Sequence, residues 1–282
     1  MLLQDPLIRP FIFLALLVLF AVLEAQFPRR RRVLGQVQRW VGNFGILLVS
    51  TVIARVVLPI APIGAALWAV QNETGLFNII PMPVALEGVF AFLLLDLLIY
   101  GQHRVFHAVP LLWRIHRMHH TDMDFDVSTG IRFHPIEIFL SLIIKVIAVV
   151  AIGAHPLAVV VFEIALNGTS LFNHSNLALP ASMDRAIRQI VVTPDMHRVH
   201  HSIRKDETNS NFGFNLPWWD YIFSTYRAQP ADGHTKMTIG LDIFRDMRAA
   251  RLVQLLIQPF ITPIAQSGKQ ADNNSETPQP PG

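Results

Sequence analysis

Long apolar runs separated by short polar segments dominate the pattern of the chain. Most of these runs approach the roughly 20 consecutive residues that a helix needs to cross about 30 Å of hydrocarbon. The pattern therefore predicts an all-α integral membrane bundle of about four to five spans. The second run contains Arg55, Pro59 and Pro62, so we expect it to be kinked or partly interfacial. The apolar runs cover residues 11–25, 44–67, 84–100, 136–150 and 157–172.

The last two runs are predicted to form a helical hairpin, because Gly153 and Pro156 between them are typical turn residues. Each run carries a charged residue well inside it. Lys145 lies nine residues before Ala154 and Glu163 lies nine residues after it, so the two charges should reach a similar depth. An unpaired charge inside a membrane is costly. We therefore expect Lys145 and Glu163 to form an ion pair.

A block of four arginines, residues 29–32, follows the first apolar run. Positive residues concentrate on the cytoplasmic side of membrane proteins, whereas a cleaved signal peptide carries them before its apolar run. The first run is thus predicted to be a retained anchor whose C-terminal end faces the cytoplasm. Counting spans from this block places the polar segment 71–78 outside and the histidine-rich segments inside. The sequence therefore predicts a cytoplasmic, histidine-rich helical cap on the bundle.

The composition of the chain narrows the possible classes of protein further. Of the 282 residues, 52% are hydrophobic and only 15% are charged, against roughly a quarter charged in soluble domains, which argues against a soluble protein. The chain has no cysteine, which excludes disulfides, thiolate metal sites and cysteine nucleophiles. The net charge of +3 owes much to the arginine block, so no nucleic-acid partner is expected. We expect one membrane-embedded domain over residues 1–265 and a disordered polar tail over residues 266–282.

Histidine is the unusual residue type, with 12 copies in the chain. Three clusters have the spacing His-x-x-x-His or His-x-x-His-His, which on a helix directs two or three imidazoles to one side. With His174, at the returning end of the hairpin, they offer nine imidazoles, whereas one ion takes roughly three to six donors. Two neighbouring metal ions are therefore predicted. The candidate ligands are His103, His107, His116, His119, His120, His174, His197, His200 and His201.

Other interpretations of the histidines compete with a pair of metal ions. A solvated histidine-rich surface or a structural zinc site is the simplest alternative. A zinc protease needs a glutamate directly after the first histidine of its motif, and Arg117 and Arg198 stand there instead. His134, which precedes a span, is a candidate tenth ligand or a supporting residue. His155 at the hairpin turn and His234 in a polar loop are left out of the site.

The third span carries a longer polar pattern. Asp96, Tyr100, His103 and His107 are spaced i, i+4, i+7 and i+11, which places them on one helical stripe. A histidine that binds a metal through one ring nitrogen usually donates a hydrogen bond from the other. We therefore expect Asp96 or Tyr100 to orient a ligand imidazole, unless Asp96 simply extends towards the membrane interface.

In this order, the motifs resemble the fatty acid hydroxylase superfamily, which includes sterol desaturases, sterol methyl oxidases and alkylglycerol monooxygenase. The resemblance covers about residues 29–260, and the ordered combination is far more specific than any single motif. The motifs are DLLIYGQHRVFH (residues 96–107), HRMHH (116–120), RFHPIE (132–137), NHSN (173–176), HRVHH (197–201) and NFGFNLPWWDYIFSTY (211–226).

The resemblance implies a membrane-bound, non-haem di-iron enzyme that uses O2 and two external electrons to hydroxylate or desaturate a lipid. By position, the nine histidines would be the iron ligands and His134 a candidate tenth. Asn173 and Asn211, like Asp96 and Tyr100, would support the ligands. The resemblance identifies no further catalytic side chain. Since no haem domain fits the chain, we expect a separate electron donor of the ferredoxin or cytochrome type with a reductase.

Two other functions stay open from the sequence. A metal transporter or metal sensor in the membrane would also use histidines and carboxylates, although it would place them midway along its spans. A scaffold protein that kept the fold without turnover is the third alternative.

Overall fold

The structure, a computed structural model, describes residues 7–58, 62–80 and 82–262. Within these ranges the chain forms fourteen α-helices and three 3₁₀ turns, and its β pairing is confined to two isolated bridges. The α-helices are α1 (Ile8–Gln26), α2 (Gln36–Val57), α3 (Pro62–Gln71), α4 (Leu76–Ile79), α5 (Val84–Ala108), α6 (Pro110–His120), α7 (Pro135–Ile152), α8 (Pro156–Asn173), α9 (Ala181–Ile187), α10 (Pro194–His200), α11 (Lys205–Thr208), α12 (Trp218–Ile222), α13 (Gly233–Lys236) and α14 (Leu252–Ile257). The 3₁₀ turns are Val127–Ile131, Met247–Ala250 and Gln258–Phe260.

Five segments are long and apolar enough to cross a membrane. They are α1, α5, α7, α8 and the segment Gln36–Ile79, which contains α2, α3 and α4. The predicted all-α membrane bundle is confirmed. Large apolar side chains cover its outside, as a lipid environment requires. The second predicted run is interrupted, because α2 ends at Val57 and α3 begins at Pro62. Pro59 lies outside the described residues.

Helices α7 and α8 form the predicted hairpin. Gly153 ends α7 in the left-handed conformation with φ of 71°, which glycine adopts without strain. His155 then caps α8, since its Nδ1 accepts a hydrogen bond from the backbone N–H of Leu157. The expected contact within the hairpin is present, with 3.8 Å between Lys145 Nζ and Glu163 Oε1.

A third charge joins this pair. Arg9 Nη1 of α1 lies 2.6 Å from Glu163 Oε2, which is closer than the lysine. Glu163 therefore bridges two cations, and α1 is tied to the hairpin by charge as well as by apolar packing.

The apolar core of the bundle lies between α3, α5, α7 and α8. It contains small residues such as Ala66 and Ala91 together with Val149 and Phe162, all fully buried. A second cluster joins α1 and α8 through Leu17 and Leu171. This packing brings the ends of α5, α7 and α8 close to the polar cap.

The arginine block does more than flank a span. Arg29 forms an ion pair of 2.8 Å with Asp195, and Arg30 Nη1 donates to the carbonyl oxygen of Met237 at 2.9 Å. Arg32 lies 3.0 Å from Glu24. Arg29 and Arg30 therefore attach the end of α1 to the cap, and Arg32 also lies 3.6 Å from Asp126 on the cap side. The single domain over residues 1–265 stays a prediction, and the predicted tail over residues 266–282 lies outside the described residues.

Candidate metal centre

The nine candidate histidines, which lie far apart in sequence, converge into two adjoining groups. Within each group, one nitrogen from every ring lies within 4.8 Å of the corresponding nitrogens of the others. We call them the five-histidine group and the four-histidine group. The first contains His103, His107, His116, His120 and His200, and the second contains His119, His174, His197 and His201.

Each His-x-x-His-His cluster is divided between the two groups, which the sequence analysis did not foresee. Successive residues of an α-helix point about 100° apart, so neighbouring histidines cannot face the same ion. In α6, His116 and His120 face one group while His119 faces the other. In and after α10, His197 and His201 face the four-histidine group while His200 faces the five-histidine group. Each cluster therefore supplies histidines to both groups.

Six of the nine rings have Nδ1 beside an oxygen acceptor, so Nδ1 is a nitrogen that carries a proton. Four of these acceptors are backbone carbonyl oxygens and two are side chains of Glu137 and Asn209. The contacts are His103–Phe212 O (2.9 Å), His119–Arg132 O (3.1 Å), His174–Ser170 O (2.8 Å), His200–Ser210 O (2.7 Å), His116–Glu137 Oε1 (2.7 Å) and His107–Asn209 Oδ1 (3.3 Å). In these rings Nε2 is left with a free lone pair.

These lone pairs face each other in a way that fits a bound cation. His119 Nε2 and His174 Nε2 are 3.1 Å apart, and neither carries a proton to share. Two imidazole nitrogens that bind one ion at right angles, each at about 2.1 Å, are roughly 3 Å apart. The buried Nε2 atoms of His103, His107 and His200 have no hydrogen-bond partner among the described residues. The arrangement fits a metal ion in each group.

Electrostatics keep the cap histidines neutral. Burial, reinforced by neighbouring histidines, lowers the pKa of five of these rings well below the ordinary value. These are His119, His120, His197, His200 and His201. Burial also lowers the pKa of His174, to about 3. Neutral imidazole is the form that binds metals, so the lone pairs stay available near neutral pH.

His134 lies in neither group. Its Nδ1 accepts a hydrogen bond from the backbone N–H of Ile136 and caps α7, while its Nε2 lies 3.2 Å from the carbonyl oxygen of Leu256. Both ring nitrogens are therefore engaged in structural contacts. His234, which was left out of the site as a residue of a polar loop, is buried, with its Nε2 3.6 Å from Asp195.

The four expected supporting residues contact other parts of the cap and not the imidazoles. Asp96 accepts hydrogen bonds from Asn215 Nδ2 and Trp219 Nε1 and does not contact a ligand ring directly. The reason is distance, since Asp96 lies seven residues, or about 10 Å, before His103 along α5.

The other three expected supporting residues hold the same part of the cap. Tyr100 is hydrogen-bonded to Thr225, and Asn173 donates to the carbonyl oxygen of Phe214. Asn211 binds the backbone of Met196 and Arg227. The two asparagine contacts fix residues 209–216, which we call the support loop, and Thr225, the partner of Tyr100, accepts from the backbone N–H of Asn211 in that loop. That loop supplies the oxygen atoms for His103, His107 and His200.

The side chains that touch the histidines directly are not among the residues predicted from the sequence. Glu137 binds His116, and its place within RFHPIE, in the first turn of a helix, was a usable signal. Asn209 binds His107 from an ordinary polar stretch that gave none. Behind the four-histidine group, buried Arg39 lies 2.7 Å from both Asp122 and Asp126. This network fixes the segment that ends at Arg132, whose carbonyl oxygen accepts from His119.

A cavity of about 430 Å³ runs through the bundle and reaches the histidines. This volume lies within the usual range for small-molecule sites, about 300–1,000 Å³. At one end it is lined by His103, His116 and His119, which represent both groups. Its walls are largely apolar, with Leu142 and Leu166 among the residues beyond the histidines.

Comparison with known proteins places this site in a family. Residues 88–225, which include all nine histidines, match the family model described as fatty acid hydroxylase. The chain is 30% identical over 180 residues to an ornithine lipid hydroxylase of Rhizobium tropici, covering 63% of this chain and 51% of that protein. It is 29% identical over 155 residues to alkylglycerol monooxygenase of Homo sapiens, covering 54% and 32%. It is 29% identical over 142 residues to cholesterol 25-hydroxylase of Rattus norvegicus, covering 49% and 46%.

These matches span about half or less of the length of the relatives. No solved structure matches the chain. The relatives are named for lipid hydroxylation or monooxygenation, and the matched segment is the one that carries the two histidine groups. Residues 88–225 therefore form a fatty acid hydroxylase domain, similar to those lipid hydroxylases and monooxygenases.

Proposed function

We propose that the protein oxidises a lipid with O2 at two iron ions, one in each histidine group. The observation that carries the proposal is the pair of adjoining groups, whose nine nitrogens include lone pairs that face each other at 3.1 Å. The fatty acid hydroxylase match over the same residues supports iron. The redox-inert zinc ion would fit the nitrogen ligands, but it cannot supply the electrons that O2 activation needs.

Iron bound there would support the reaction of a C–H bond with O2, two electrons and two protons to give an alcohol and water. The protein's own residues prepare the site in three ways. The hydrogen bonds to Nδ1 fix each ring and direct Nε2 inwards. Burial keeps the cap imidazoles neutral. The apolar cavity excludes water from the side on which a lipid would approach.

The lipid would reach the histidines through the cavity. The cavity lies among helices that are long and apolar enough to span a membrane, so an acyl chain or sterol could enter without crossing water. Part of our proposal is that the histidine cap faces the cytoplasm, on the basis of the arginine block at residues 29–32. A separate ferredoxin or cytochrome would then deliver electrons on that side.

Metal content and O2 consumption test the proposal together. The purified protein, reconstituted in lipid with a reductase and a ferredoxin, is expected to contain about two irons per chain and to consume O2 only when a substrate lipid is present. Mass spectrometry should identify a lipid product that is heavier by one oxygen, or an alkene if a second hydrogen is removed.

Two outcomes would contradict this function. One is a preparation that binds zinc and no iron after expression in iron-rich medium. The other is metal-dependent flux into sealed vesicles without any lipid oxidation, which would favour a transporter. The positions of the histidine groups argue against transport, since none of the nine histidines lies midway along a span. His103 and His107 lie in the last two turns of α5, His174 lies at the end of α8, and the other six lie in α6 or in and directly after α10.

A further inference from the structure

The far end of the cavity carries an excess of positive charge. Arg9 and Lys145 line the cavity there, and Glu163 is the carboxylate that lines the same end among the described residues. Arg55 lines the cavity between this end and the histidines, about 7 Å along α2 from Ser50, which is hydrogen-bonded to Phe133 beside His119. Glu163 is shared, with 2.6 Å to Arg9 and 3.8 Å to Lys145. Arg55 has no carboxylate partner within the described part of the chain. Charges inside a membrane are expensive and usually serve a ligand or a partner.

This charged end is well separated from the histidines. Lys145 lies eleven residues after His134 on α7, and Glu163 lies eleven residues before His174 on α8. Both intervals correspond to about 16 Å of helix. Apolar residues such as Leu142 and Leu166 line the cavity between the two ends. The cavity thus matches an amphiphile with one charged end and an apolar chain.

We infer that the cavity selects a lipid that carries an anionic group, a carboxylate or a phosphate, and holds that group between Arg55 and Lys145. The inference rests on the proposed function, because it concerns the substrate of the same site. Arg9 and Glu163 position Lys145 and complete the binding surface. The oxidised carbon then lies far along the chain from the anionic group and not beside it.

Equilibrium binding tests the inference without turnover. The full-length protein in nanodiscs, without reductant, is titrated with hexadecanoate, hexadecyl phosphate and hexadecanol, which share one chain length. A charged hydrogen bond contributes about 1.5–3 kcal/mol, so the anionic probes should bind about tenfold or more tightly than the alcohol. The tighter of the two anionic probes identifies carboxylate or phosphate as the group.

Matched variants show which residues cause the preference for an anionic lipid. Arg55→Gln and Lys145→Met should each weaken binding of the preferred anion about tenfold and leave hexadecanol binding unchanged. Lys145→Arg should restore the preference. Arg31→Gln serves as the control, since Arg31 is a cation that does not line the cavity. Circular dichroism checks that each variant is folded.

The inference and the proposed function can fail separately. Equal binding of the acid and the alcohol, or a preference that persists in both charge variants, overturns the inference whether or not the protein oxidises lipids. Charge-dependent binding without any O2 consumption supports the inference and contradicts the oxygenase. Where turnover occurs, fragmentation of the product should place the new hydroxyl group in the distal half of the chain, and a hydroxyl beside the carboxylate overturns the inference.

Discussion

The two histidine groups have similar nitrogen ligands but different support. In the five-histidine group, three rings depend on the support loop, where Phe212, Ser210 and Asn209 supply the oxygen atoms. In the four-histidine group, His174 donates to Ser170 within its own helix. His119 there donates to Arg132, which ends a segment fixed by a buried ionic network.

The groups also differ in access. All four rings of the four-histidine group are buried, at 1% exposure or less. His107 of the five-histidine group is partly exposed and packs against Trp113, which is partly exposed as well. We therefore expect the two metal ions to differ in affinity and exchange rate. The five-histidine group should respond to changes in the loop, whereas the four-histidine group should not.

Removal of a ligand has the largest expected effect. His120→Ala or His200→Ala in the five-histidine group, and His174→Ala in the four-histidine group, should each abolish lipid oxidation, since both irons are needed. Each variant should lower the iron content from about two per chain towards one. Iron analysis and O2 consumption of the reconstituted variants measure both effects.

His134→Ala is the matched control, because His134 is a nearby histidine outside both groups. It should retain about two irons per chain, although loss of the α7 cap is expected to lower stability by about 1 kcal/mol. Full activity of His120→Ala or His200→Ala would contradict the assignment of the groups. Loss of both irons from every ligand variant would show that the two histidine groups do not bind iron independently.

Loss of Glu137, a carboxylate that touches a ligand, ranks next. Glu137 Oε1 lies 2.7 Å from His116 Nδ1, and such supports usually contribute 10–100-fold to metal affinity or activity. Glu137→Ala should therefore weaken iron binding in the five-histidine group by about that factor. Glu137→Gln keeps an oxygen acceptor without the charge and should lose less. Competition with a chelator of known affinity measures the iron affinity of each variant. Unchanged affinity in both variants would argue against a role of Glu137 in supporting His116.

The sequence predicted the bundle because its periodic apolar runs are local signals. The confirmed helices α1, α5, α7 and α8 follow runs whose lengths match a membrane. The nine histidines could be selected for a related reason, since helical spacing identifies clusters without knowledge of tertiary contacts. What spacing could not give was the partner of each cluster. The division of His119 from His120 depends on how α6 packs against other elements.

The supports were harder to predict because they involve contacts distant in sequence. Asp96 shares a helical stripe with His103 but is too far along the axis to touch it. Backbone carbonyl oxygens such as those of Phe212 and Ser210 have no side-chain signature at all. Burial of His234 likewise follows from its approach to Asp195, 39 residues earlier.

A change in the anchor of the support loop should have a smaller and selective effect. Asp220 accepts hydrogen bonds from the backbone N–H groups of Phe212 and Gly213 at 2.8 Å and 2.7 Å. Asp220→Asn replaces one acceptor by a donor and should loosen the loop. We expect iron affinity to fall about threefold to tenfold in the five-histidine group only. Asp184→Asn, which removes a carboxylate paired with Arg188, is the control. Equal weakening of both irons would contradict the assigned support.

The smallest expected difference is kinetic. Because His107 and Trp113 are partly exposed while all four rings of the other group are buried, a ferrous chelator should remove the two irons in two phases. The fast phase should account for about one iron per chain, and we expect it to be roughly tenfold faster than the slow phase, since the buried group must wait for local opening. His107→Asn should accelerate the fast phase and leave the slow rate unchanged. Release of both irons in one phase would show that access does not distinguish the groups, and the remaining difference would then lie in the support loop alone.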